Sequence, residues 1–466
     1  MQHHVIGHSG RLVKLPGGAN TLGRPQVPQE LNLAGFQDHI AFTFYFQRYR
    51  WAYFWQGIIR VSPADSSDLH YTASRAVVLG YLAKMNHDRE LEMKAVQLSS
   101  QAVSGIQNMI NNGSIPEQAS ILSAISAMGV YNYMFEPTFS YLHHYGLQMI
   151  LKSCGPFYFQ DEANLRRFRC CRKMLYCVAL RMRCKTFLSR PEWKTVPFLF
   201  VKSTEDKIMD ILVDIPGLVE SINFLNRSEH HRDMAQRIRY IRAKLADWWV
   251  EWHSLNPNSA SETVRYCGGN NLLPFIASFL STNLIFETAQ QGLELICYHS
   301  AMLLLGQVEW FLLGQSPDEY EILSMRDYGE KHPRGVPRRQ TQTPLLLPEE
   351  IEHHWQHGLE GLRILSGFRA SLEARSELYV TAGPLAILYC FARNLGIAEA
   401  MLNMISGEQW AEHAEVELGS YDFYKLGSSA QEMSNASMWR TDSGHSHTWE
   451  AETSVGSQLF INSSWP

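Results

Sequence analysis

The sequence predicts an all-α protein, a large multi-helix domain between two disordered arms. Three observations carry this reading. Met234, Ile238, Ile241, Leu245, Trp248 and Trp252 recur at spacings of 4, 3, 4, 3 and 4, one apolar stripe at helical period within 229–254. Long Ala/Leu/Met-rich segments succeed one another with no strands alternating between them. Ser114-Ile-Pro116-Glu117 reads as a capping box with an early proline, which starts a helix.

The elements follow in order. Residues 1–35 collect Gly7, Gly10, Gly17, Gly18, Gly23 and Gly35 around Pro16, Pro25 and Pro28, without periodicity, and read as a flexible arm. The helical domain is expected over 36–426. Residues 42–55 (FTFYFQRYRWAYFW) hold nine aromatics in fourteen. Their polar breaks at Gln47, Arg48 and Arg50 favour a buried helix over a strand. Further helices are expected at 67–85, 88–112, from the capping box to Met134, at 136–153 and at 160–189. Pro191 and Pro197 mark 187–197 as a loop. Asn256-Pro257-Asn258 ends the striped helix, whose apolar face packs within its own domain in preference to forming a dimeric coiled coil. Residues 272–313 read as long, apolar and helical, broken near Thr288–Gly292. A polar loop is expected at 326–345, helices at 348–373 and 384–405, and a Ser-rich disordered tail at 427–466.

Composition limits the class. Of 466 residues, 45% are apolar and 19% charged, with a formal net charge of −5. That excludes a wholly disordered chain and one that coats nucleic acid by uniform positive charge. No apolar run is long enough to span a bilayer, and the N-terminus has no apolar core of a secretory leader. The eight cysteines therefore read as reduced thiols of an intracellular protein.

Linear signals of chemistry are sparse. Cys170, Cys177 and Cys184 lie seven apart, about 10.5 Å per step on a helix, too far to share one zinc. They read as small residues on a packed face. His353 and His357 have a two-ligand spacing beside Glu349, Glu350 and Glu352, but residue 354 is His where a metalloprotease helix needs Glu. This segment reads as a solvated helix N-terminus. Phosphate-binding glycine loops, a nucleophile elbow and paired aspartates for magnesium are absent from the sequence. No catalytic residue, metal or cofactor is assigned.

One charged segment stands out. Residues 165–207 carry twelve Lys/Arg against three acids. Arg166, Arg167, Arg169, Arg172, Lys173, Arg181 and Arg183 are candidates for a surface that meets an anionic partner, and a solvated face balanced by acids elsewhere is the alternative. Lys331, Arg334, Arg338 and Arg339 are candidates for a nuclear-import signal.

Several of these pieces, in this order, carry a resemblance. Residues 141–157 (YLHHYGLQMILKSCGPF) lead to a Gly155-Pro156 step. An Arg-rich helix then runs into Thr186-Phe187-Leu188 and Pro191-Glu192-Trp193 to Pro197. Asp210 and Ile215-Pro216-Gly217-Leu218 come next, followed by the Trp-rich helix and the helix around Tyr298–Leu305. Over about residues 36–410 the chain resembles the regulatory domain of fungal zinc-cluster transcription factors. The resemblance implies an all-α regulatory domain that controls transcription in the nucleus, in some members of secondary-metabolite gene clusters. It implies contact with other transcription factors or co-regulators, homo- or heterodimers, and a small apolar ligand. It implies neither an enzyme nor a membrane protein.

Family members carry six N-terminal cysteines that hold the DNA-binding zinc cluster. Here the first cysteine is Cys154, so no residue of that head carries over and direct sequence-specific DNA binding is not expected. A naturally head-less regulator, a protein that reaches DNA through a partner, and a shortened gene model stay open. The rival readings are a helical biosynthetic enzyme without a linear motif, and a scaffold. Buried His and carboxylates converging on a polar pocket favour the enzyme. An apolar interior with a contiguous exposed basic face favours the regulator.

Overall fold

A computed structural model describes residues 36–48, 58–60, 68–111, 118–135, 142–199, 202–222, 228–264, 274–314, 317–332, 344–367, 382–399 and 401. The expected arm at 1–35, the second half of the aromatic block, the capping box at Ser114–Glu117 and the tail at 427–466 lie outside them. Among the described residues the protein is all-α apart from one two-stranded sheet.

The first group of helices is α1 (Gln37–Arg48), α2 (Leu69–Asn86), α3 (Arg89–Asn111), α4 (Gln118–Phe135) and α5 (Leu142–Cys154). Asp68 caps α2 by accepting from the Tyr71 N–H at 3.0 Å, which satisfies one of the open donors of the first turn. Glu90 and Glu92 stand in the first turn of α3, where the helix dipole favours negative charge. That helix buries Ala95, Leu98, Ala102 and Ile106, a stripe one residue wide that rests on α2 and α4. Helix α2 lies between α1, α3 and α4, and its interior face is continuous from Ala73 to Ala83.

The second group begins with a short 3₁₀ turn at Pro156–Phe159, entered through Gly155 at φ +69°. A side chain would be strained there, so Gly155 is required by backbone and not by space. Helices α6 (Glu162–Met182), α7 (Pro191–Thr195), α8 (Thr204–Leu212), α9 (Ile215–Ile222) and α10 (Ser228–Leu255) follow. Residues 187–197 are not the expected loop. Thr186 caps a 3₁₀ turn at Phe187–Ser189, and Pro191 occupies the first turn of α7, where its missing N–H costs nothing.

The third group is β1 (Ala260–Val264), α11 (Pro274–Phe279), β2 (Thr282–Phe286), α12 (Ala289–Leu312), α13 (Pro317–Lys331), α14 (His354–Gly367) and α15 (Ala382–Asn394). β1 and β2 pair antiparallel with Glu262 opposite Leu284. The continuous helix expected from 272 is therefore split by a strand. Thr282, Ile285 and Phe286 suit a pleated surface, and their pairing partner lies some twenty residues back. Thr288 and Gln291 then form a reciprocal capping box that starts α12, at the break expected near Thr288. Residues 326–331 of the expected loop are helical, since α13 continues to Lys331, and 333–343 lie outside the described residues.

One hydrophobic core runs through all three groups, from Ala41 to Met401. Helix α6 joins them, packing on α4, α5, α8, α9 and α15. Helix α12 lies at the centre of the third group against α8, α10, α13, α14, α15 and β2. It is long and apolar enough to cross a membrane by length and composition, and most of it is buried inside the protein. The stripe of α10 is buried as well: Met234, Ile238, Ile241, Leu245, Trp248 and Trp252 all face this core.

The sheet and α14 approach closely. A Cβ at Gly367 would fall 1.8 Å from the Leu284 carbonyl oxygen, a backbone atom that has no rotamer to move into. Gly367→Ala is expected to destabilise the protein by about 3 kcal/mol. Urea unfolding followed by circular dichroism measures this, and an unchanged midpoint would contradict the close packing of β2 on α14.

Candidate functional site

Much of the basic segment, the candidate for an anionic-partner surface, is engaged in ion pairs within the fold. Arg169, Arg172, Lys173 and Lys202 pair with the acids of α8. Arg169 donates to both carboxylate oxygens of Asp206 at 3.0 and 2.7 Å. Asp206 also closes the capping box of α8 with Ser203. Burial acts to raise the Asp206 pKa, but hydrogen bonds from Arg169 and Ser203 and the charges of Arg169 and Arg172 outweigh it. The carboxyl lies below its ordinary range.

Arg172 is 1% exposed and pairs with Asp210, which also receives Lys202. The Arg172 guanidinium lies 5.7 Å from the Phe198 ring centre and 6.0 Å from that of Phe168, and these rings take the place of partners for its Nε and Nη1. Lys173 pairs with Glu205, Lys194 with Asp214 at 2.5 Å, and Lys207 with Glu251. Of the seven candidates, Arg166 is the one whose side chain is largely in solvent, and it pairs with Glu162 one turn away. Arg167 donates to Asn164 at 2.8 Å. Arg181 stands in the last turn of α6, and Arg183 is its left-handed C-cap at φ 49°. The acids that pair with this helix are Glu162, Glu205, Asp206 and Asp210. Of the import-signal candidates, Lys331 closes α13, while Arg334, Arg338 and Arg339 lie outside the described residues.

The residues that carry the family resemblance gather around α6. Trp193 is buried with its ring centre 4.8 Å from Phe187, 6.0 Å from Phe168 and 6.2 Å from Phe159. Asp210 holds Arg172, and Ile215 and Leu218 are buried in α9. Each of these residues packs or caps, and none of them converges on an open site.

A second polar cluster, unforeseen from the sequence, lies in the core of the third group. His299 of α12 and His357 of α14 meet with their Nδ1 atoms 3.0 Å apart. Both are buried, at 2% and 4% exposure. His357 is therefore not on a solvated helix N-terminus, since the first turns of α14 are driven into the core. One imidazole donates and the other accepts. Burial pushes His299 down to about 4, opposed by the Glu360 charge. Burial and then the His299 charge push His357 well below its ordinary value.

Around this pair, Arg363 is fully buried. It donates to Glu360 at 3.0 Å, Thr282 at 3.0 Å, the Pro344 carbonyl at 3.1 Å and Glu262 at 2.5 Å. Glu360 accepts in addition from the Leu346 N–H at 2.9 Å. Further along α12, Gln307 donates to Glu321 at 3.0 Å, and His354 lies 3.3 Å from the same carboxylate. At the other end Glu294 accepts from Thr204 and Trp252 at 2.9 and 2.7 Å. Burial raises its pKa, with hydrogen bonds from Gln290, Thr204 and Trp252 opposing. His353 stacks on Trp355 instead of joining His357. Among the described residues no three His, Cys, Asp or Glu side chains group as metal ligands. The one sequence signal for this cluster was polar residues at 294, 299 and 307 on an otherwise apolar helix.

Comparison with family models, with curated proteins and with solved structures yields no match to this chain.

Two outcomes follow from this chemistry. Asp210→Ala leaves Arg172 buried without its carboxylate and is expected to lose about 3 kcal/mol of stability, most of it recovered in the Arg172→Met/Asp210→Ala pair. Chemical denaturation of both variants decides this. The histidine pair makes folding sensitive to acid. Its folded pKa values are depressed below 6.5, so its full stability is present above pH 6.5 and is lost as pH falls towards about 4. Each histidine contributes a slope of up to about 1.4 kcal/mol per pH unit in that window. Unfolding midpoints between pH 7 and pH 4.5 should fall less steeply in His299→Leu/His357→Leu than in the parent, and equal slopes would contradict the assignment.

Proposed function

We propose that this protein is a transcription-regulator-like protein that acts by protein contact through its helical domain. The reading rests on the resemblance of a set of residues to the regulatory domain of fungal zinc-cluster factors. Gly155-Pro156, Thr186-Phe187-Leu188, Pro191–Trp193, Asp210 and Ile215–Leu218 occur in order, and they meet in space as caps and packing around α6. A resemblance whose residues interlock in one unit is harder to produce by chance than the same residues scattered over a surface.

The role follows from that family-level analogy. The protein works in the nucleus with other transcription factors or co-regulators, on genes such as those of a secondary-metabolite cluster. The polar core does not favour the enzyme reading. Among the described residues His299 and His357 face each other, Glu360 and Arg363 are fully buried, and the cluster is closed.

The test is chromatin immunoprecipitation of the tagged protein, together with expression profiling of its deletion. Enriched loci with altered expression of neighbouring genes are expected, and neither enrichment nor any expression change would remove the proposal. Purified alone at physiological salt, the protein should form no sequence-specific DNA complex. A specific complex of nanomolar affinity would overturn this expectation.

A further inference from the structure

We draw no further inference here: the strongest candidate, the exposed apolar patch of Phe36, Ile40, Met93 and Val96 where the start of α1 meets α3 through the Gln37–Lys94 contact, has nothing in the structure to show what covers it.

Discussion

Helix α12 is buried on every side, and that is the constraint on which the surrounding structure depends. An apolar helix in such a place could slide or rotate, because hydrophobic contact is not directional. Helix α12 cannot, because it carries polar groups into the core that must be satisfied there. Glu294 fixes Thr204 at the start of α8 and Trp252 near the end of α10. His299 fixes α14 through His357, and Gln307 fixes α13 through Glu321. Each contact is a hydrogen bond of set length between two named heights. Together they define one register for four neighbouring helices, while the apolar residues between them supply most of the driving force.

A second relation of the same kind holds α6 to α8. The basic residues of one and the acidic residues of the other are separated by about 35 positions, and they fold back onto each other. Ion pairs this close to the surface contribute little individually, but Arg172, held by Asp210, and Asp206, held by Arg169, are buried and each needs its partner. Trp193, Asp210, Ile215 and Leu218 serve this packing.

Legibility in the sequence followed the range of the interaction concerned. The stripe of α10, the start of α12 after Thr288 and the limits of α2 and α3 are local patterns, and local rules reach them. The hairpin was hidden because Thr282–Phe286 is as apolar as the helix it precedes, and its strand character exists only opposite Ala260–Val264. The basic segment looked uncompensated because two of its acids, Asp210 and Asp214, come just after it in the chain. His357 was noticed for a partner four residues away, yet its partner is fifty-eight residues away on another helix. A sequence displays spacing along one helix, and it does not display which helix comes to face it.

The cysteines acquire a use from where the fold puts them. Cys171, Cys177, Cys184, Cys297 and Cys390 are buried, and burial pushes the Cys171 thiol up to about 12. A thiol reagent needs access, which the closed protein denies it at these five positions. These five positions are spread over α6, its C-terminal cap, α12 and α15. Their rates of alkylation would therefore clock the opening of each region separately, making the native chain its own map of local unfolding without any introduced label.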